Sequence, residues 1–248
     1  GYMCSKTELG FYDNSEKIIS IPTGFITAIG TVMLPRISSL LIDNNDAKIK
    51  YYIKKSLIAS MAMASALSFG IAAVAPTFAP WFWGEEFTKS GTLITMLSVT
   101  VIFLSWANVF RTQYLIPNDM DQVFLNATIY GAIINLIINA VFIKRLGAVG
   151  AVIGTVAAEF VVAYYQTVKC KDFLPIKEYL KETIPYIFMG LIMFCTIFMI
   201  SKLDVNNTLL LLMEIIGGAL CYCVLCVIYL SKVKKIELTK IISRARGK

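Results

Sequence analysis

Residues Arg111–Gln166 read RTQYLIPNDMDQVFLNATIYGAIINLIINAVFIKRLGAVGAVIGTVAAEFVVAYYQ, and this stretch decides the fold. It holds the end of one apolar span, a short polar turn, a second span, a Gly-rich turn and a third span. Thr128, Gly131, Asn135 and Asn139 recur at spacings of three, four and four, so they share one face of a helix. Glu159 lies in the following apolar run, with Thr155 four residues before it. An unpaired amide or carboxylate in hydrocarbon costs several kcal/mol, so such side chains face a protein interior or a watery cavity. Three hydrophobic helices with one wet side are expected to border a transport path.

Composition supports that class along the whole chain. Mean hydropathy is +0.71, 57% of residues are hydrophobic and only 16% are charged, against about 25% in a soluble domain. Several windows exceed the roughly 18 apolar residues that mark a membrane helix. The fold class is therefore an all-α integral membrane protein, a polytopic bundle of about seven transmembrane helices. The formal charge of +7 does not point to nucleic acid, because the basic residues collect in short loops between spans. With no histidine in the chain, histidine acid–base catalysis, serine–histidine triads and histidine metal sites are excluded. Neither a cofactor nor a metal is expected. Cys221, Cys223 and Cys226 do not converge on a helix, and Gly147, Gly150 and Gly154 follow no strand.

Working outward, residues 1–14 read as a polar loop, and the first span runs from about Glu16 to Ile42. Lys17, Ser20, Gly24, Thr27 and Thr31 form a polar and small stripe on it. Further spans are expected at about Ile53–Ala79, Gly91–Ile116, Gln122–Ile143, Ala148–Val168, Ile184–Ile200 and Thr208–Leu230. Gly150, Gly154 and Ala158 form a small-xxx-small ridge suited to close helix contact. Aromatics in PWFWGEEF (Pro80–Phe87) suit a membrane boundary. Fifteen lysines and arginines lie in one set of alternate loops and six in the other. The positive-inside bias then places the first set, and the C-terminus, in the cytoplasm. The chain opens at Gly1 in mid-pattern and is expected to be part of a longer transporter.

Three segments together carry a family resemblance: LGFYDNSEKIISIPTGFITAIGTVMLPRISSL (Leu9–Leu40), FWGEEF, and the 111–166 stretch. A tyrosine-rich lead-in, an LPR ending and a YLIPN turn follow in order. The sequence resembles the C-terminal half of a Wzx-type oligosaccharide repeat-unit flippase, in the multidrug/oligosaccharidyl-lipid/polysaccharide exporter superfamily. That resemblance implies a two-lobe fold around a cationic cavity. Residues 1–168 would form the C-terminal transport lobe lacking its first helix, 169–231 an additional helix pair, and 232–248 a basic cytoplasmic tail. It implies a flippase of the bacterial cytoplasmic membrane, acting in O-antigen or capsular polysaccharide synthesis. The partners implied are an undecaprenyl-pyrophosphate-linked glycan, the lipid bilayer and an N-terminal lobe outside this sequence.

Within that frame Lys17, five residues before Pro22, stands where the related lipid II flippases carry a cavity arginine. It is read as a substrate contact or as an interfacial lysine reaching outward. Arg111, with Asn108 beside it, is read as a substrate-facing cation, or as a lock on the PNDMD turn through Asp119 or Asp121. Asn135 and Asn139 either line the path or bond neighbouring helices. Glu159 is a candidate ion-coupling group or a structural partner of Arg111 or Lys144, and Arg36 a gate or loop anchor. Two alternatives stay open: a small-molecule antiporter of the same superfamily, and a membrane glycan polymerase. The polymerase is disfavoured because no loop exceeds about 15 residues. No covalent chemistry is implied, so an enzyme is not expected.

Overall fold

The structure is a computed structural model that describes residues 4–42 and 45–233. It is all-helical, as the sequence predicts, because a chain in hydrocarbon must satisfy every backbone N–H and C=O internally. The helices are α1 (Lys6–Ile42), α2 (Asp46–Trp83), α3 (Thr88–Leu97), α4 (Thr100–Phe110), α5 (Asp121–Leu146), α6 (Ala148–Cys170), α7 (Ile176–Ile200) and α8 (Asn207–Ile228). α3 and α4 lie on one crossing, so the described residues hold seven spans long and apolar enough to cross a membrane. The expected basic tail lies outside the described residues from position 234 onward.

α2 is the central pillar, with α1, α3, α4, α7 and α8 packed around it. Its side toward α3 and α4 is lined with small hydroxyls. The Ser60 and Ser105 hydroxyls share a hydrogen bond at 2.8 Å, and Thr95 donates to the Ala72 carbonyl at 2.8 Å. Where α3 gives way to α4, the Ser98 carbonyl accepts from the Ser68 hydroxyl at 2.8 Å. Water cannot rescue an exposed carbonyl at that depth, so a serine from the neighbouring helix does. On the other flank α5 rests almost entirely on α6, and Ala127 and Gly131 are its only buried residues among those described. Gly150, Gly154 and Ala158 are the ridge that α5 lies on, with Gly131 opposite Ala158.

Four boundaries differ from the sequence reading. α2 begins at Asp46, about two turns before the expected Ile53, with the Asn45 side chain accepting from the Lys48 N–H at its first turn. α1 begins at Lys6, so most of the stretch read as a loop is helix. Polar residues there are used in tertiary contacts: Glu8 accepts from the Ala148 N–H at 2.7 Å, and the Tyr12 hydroxyl shares a bond with that of Thr155 at 2.8 Å. α7 begins at Ile176, about two turns earlier than expected, because Lys54 of α2 pairs with Glu178 and Glu182. The Tyr179 hydroxyl adds a bond to the Lys50 carbonyl at 2.9 Å. The third span is not one continuous α-helix, but breaks at Ser98 and widens at Arg111–Leu115. α1 runs on through Pro22 and Pro35.

Close backbone approach makes a sharp stability contrast. A Cβ at Gly150 would sit 2.6 Å from the Phe142 carbonyl carbon, and backbone cannot step aside. Gly24, on the open side of α1, has nothing within 4 Å. Gly150→Ala is expected to destabilise the protein by about 1–3 kcal/mol through overpacking. Gly24→Ala should leave thermal unfolding in detergent almost unchanged.

Candidate functional site

The side where α2 begins is called lower here, and the side where it ends upper. α1 descends from upper to lower and shows one open flank. Lys17, Ser20, Gly24, Thr27, Thr31 and Arg36 are all exposed there, beside exposed Ile21, Phe25 and Val32. Eighteen uncharged residues separate Lys17 from Arg36. At 1.5 Å per residue they span about 27 Å, close to the thickness of a bilayer core at about 30 Å. The polar stripe therefore crosses nearly the whole hydrocarbon depth with a cation at each end. Its hydroxyls point their protons back into the helix: Ser20 donates to the Lys17 carbonyl at 2.6 Å, Thr27 to Gly24 at 2.9 Å, and Thr31 to Thr27 at 3.0 Å. The donors are satisfied, while their lone pairs remain open to a ligand. Lys17 makes no hydrogen bond or ion pair to a described residue. Arg36 lies over the Tyr52 ring, 4.1 Å from its centre, and donates to the Tyr52 hydroxyl.

Arg111 stands beside this flank, half-buried at the foot of α4. Its guanidinium donates to Asn108 Oδ1 at 2.8 Å and lies 5.2 Å from the Phe124 ring centre on α5. Asn108 is itself buried, and its amide nitrogen approaches the Ile26 carbonyl of α1 at 3.3 Å. Gly30 makes this possible, since a Cβ there would sit 2.5 Å from Asn108 Nδ2. Asn108 thus faces α1 and Arg111, not open space. Among the described residues Arg111 forms no ion pair with Asp119 or Asp121. Among the described residues half-buried Glu159 forms no ion pair with Arg111 or Lys144.

A third place lies in the upper half, between α1, α5 and α6. It is a cavity of about 420 Å³ that includes Glu8, Tyr12, Asn135, Asn139, Ala148 and Thr155 in its lining. Asn139 donates to Asn135 Oδ1 at 2.8 Å, while its own Oδ1 is buried without a partner among the described residues. The Tyr12 and Thr155 hydroxyls share a bond at 2.8 Å. Above them the Glu8 carboxylate accepts from the Ala148 N–H at 2.7 Å, at the positive end of α6, and pairs with Lys89. Gly147 holds φ +59° directly under that carboxylate, where a side chain would collide with it. Among the described residues no group of three or more His, Cys, Asp or Glu side chains could hold a metal ion.

The seven residues singled out in the sequence thus fall into three places, not one shared hollow. Lys17 and Arg36 are on the open flank, Arg111, Asn108 and Glu159 at its edge, and Asn135 and Asn139 turn inward toward α6. Thr128 of the same predicted face is exposed. Glu8, Tyr12, Tyr52 and Lys89 had no local signal. Glu8 meets Ala148 across 140 residues, a pairing no periodicity reveals.

In class, this is a polytopic helical membrane protein with one polar flank exposed along its first span. The solved structure described as lipid II flippase MurJ, inward closed conformation, has the same fold: the TM-score is 0.78 at 16% identity, over 91% of this chain and 48% of that one. The sequence profile of the family described as Lipid II flippase MurJ matches residues 5–214, and the chain belongs to that family. A Haloferax volcanii protein named "Probable low-salt glycan biosynthesis flippase Agl15" is 24% identical over 230 residues, 92% of this chain and 48% of its own length. A Shigella dysenteriae protein whose name describes an O-antigen transporter is 22% identical over 154 residues, 62% of this chain and 38% of its own length. The flippase resemblance read from the residues is borne out, and the chain spans about half the length of the Haloferax relative and of the solved flippase. Glu8 offers the local test. Glu8→Ala removes both the α6 cap and the Lys89 pair, and is expected to cost about 1–2 kcal/mol in thermal unfolding. Lys89→Ala removes only a partly exposed ion pair and should cost at most about 1 kcal/mol.

Proposed function

We propose that this chain is one lobe of a flippase for undecaprenyl-pyrophosphate-linked oligosaccharide repeat units at the bacterial cytoplasmic membrane. The observation that carries this reading is the open flank of α1, with hydroxyls and small residues between Lys17 and Arg36. A glycan needs hydroxyl and amide partners, a pyrophosphate needs cations, and the lipid tail can stay in the bilayer. The names of the Haloferax and Shigella relatives support a glycan cargo. The basic loops support a cytoplasmic C-terminus. Transport proceeds by rocking against a second lobe around a site near the midplane, with no bond made or broken.

Distances order the roles. Asn108 lies level with Ile26–Gly30, so Arg111 sits roughly 15–20 Å below Lys17 along α1. A pyrophosphate spans only a few ångströms and cannot hold both cations at once. It is handed from one to the other as the lobes move. A unit charge pair at 4 Å is worth about 1 kcal/mol in water and about 4 kcal/mol at an effective dielectric near 20. The cations therefore grip the phosphate only when closure of the second lobe excludes water. Asn108 holds Arg111 between cargoes, Arg36 anchors the lower end of α1 on Tyr52, and Glu159 balances the Arg111 charge over the same interval.

The family's own description favours a second cargo, lipid II, which belongs in the same assay. In vesicles holding the full-length transporter, Lys17→Ala and Arg111→Ala are each expected to slow flipping of a fluorescent undecaprenyl-pyrophosphate sugar at least about tenfold, the loss of one charge-assisted contact. Undiminished flipping in both variants removes the site assignment. Export of small cations without lipid flipping favours the antiporter reading, and faster flipping of lipid II corrects the cargo.

A further inference from the structure

The helix that α4 begins does not end as an α-helix. The Arg111 N–H is shared between the carbonyls of Ala107 and Asn108, a bond split between two registers. Five residues on, the Ile116 N–H reaches back to the Arg111 carbonyl, so Arg111–Leu115 form one π-turn. The Asn108 carbonyl also accepts from the Thr112 hydroxyl at 2.7 Å. Rival donors on one carbonyl, followed by a widened turn, describe a ladder with one residue too many.

The same turn holds an unmet polar group. Gln113 is fully buried, and among the described residues neither Oε1 nor Nε2 of its amide has a hydrogen-bond partner. A buried unpaired amide is costly and calls for an explanation. Next to it, one Arg111 N–H donates to Asn108 and its guanidinium lies over Phe124, and Asn108 is clamped to α1 in the notch at Gly30. One end of the turn is thus tied to the helix bearing the open flank. Its middle carries a group that gains from leaving its place.

We propose that the Arg111–Leu115 π-turn is a register switch that controls when Arg111 is available. In this structure Arg111 is withheld, bound to Asn108 and Phe124, while Gln113 stays unpaired. When the extra residue passes out of the turn, the segment below Asn108 rotates by about 100° and shifts by about 1.5 Å. That slip withdraws Gln113 from its buried position and frees the guanidinium from Asn108 for an anionic lipid headgroup. The Asn108 bond to α1 makes the slip responsive to movement of α1, and the unpaired amide biases it toward the second register. The proposal rests on the flippase reading for its cargo, but its motion is measurable without any cargo.

Gln113→Leu in the full-length protein removes the amide at nearly constant volume and should hold the present register. Three quantities are read: melting temperature, amide hydrogen exchange over residues 107–116, and flipping of a fluorescent undecaprenyl-pyrophosphate sugar. The melting temperature is expected to rise by several degrees, exchange to slow by about tenfold, and flipping to fall at least about fivefold. Gln113→Met carries the same expectation and covers imperfect packing of leucine. A raised melting temperature with exchange and flipping unchanged overturns the switch. A lowered melting temperature in both variants overturns it as well, since the amide then has a partner in the folded state. Should the wild type move no such lipid, the flippase reading fails, and the exchange data alone decide the switch.

Discussion

Hydrocarbon has no hydrogen bonds to give, and the open flank of α1 is where that constraint bears hardest. Backbone groups in the bundle satisfy one another along each helix, and where a helix breaks a neighbour supplies the missing donor, as Ser68 does for the Ser98 carbonyl. The flank from Lys17 to Arg36 is different. Its hydroxyls are quieted by bonds to their own helix, but the Lys17 side chain pairs with no described residue and the lone pairs are open. A surface like that is poorly matched to acyl chains and well matched to water, sugar hydroxyls and phosphate. It gives the molecule a direction: packed on the α2 side, unfinished on the other.

The packed side explains how such a flank can be held steady. α2 takes α1, α3, α4, α7 and α8 on its sides, with hydroxyl and small-residue contacts that let the backbones come close. α5 depends chiefly on α6, through Gly131, Gly150 and Gly154. At the top the Glu8 carboxylate ties the start of α1 to α6 and α3, and lower down the Gly30 notch ties its middle to Asn108. Small residues thus act where two backbones or a backbone and an amide must nearly touch. On the open flank, Gly24 meets nothing.

Much of this was legible beforehand. Seven apolar windows, the stripe on α1, the glycine ridge of α6 and the resemblance in Leu9–Leu40 all lie in local sequence, where spacing alone tells which residues share a face. Three helix starts were misread for one reason. The beginnings of α1, α2 and α7 are polar, and polar residues at a helix end look like a loop until their distant partners are known. Glu8 needs Ala148 and Lys89, and Glu178 needs Lys54. The grouping of candidate residues was harder still. Asn135 and Asn139 share a face as expected, but whether it meets a pore or a neighbouring helix depends on which helix lies beside it.

By itself the sequence determined the class, the number of crossings, the polar flank and the family, because hydropathy, periodicity and motif order are properties of short stretches. Only the tertiary structure decided which polar groups are free and which are engaged. It set Arg111 against Asn108 and Phe124, turned Asn139 toward Gly154, and left Gln113 buried and unpaired in a π-turn. The physical reason is that a side chain's partner in a membrane bundle is set by interhelical packing between segments up to 140 residues apart. No local pattern encodes that contact, yet the availability of each charge depends on it.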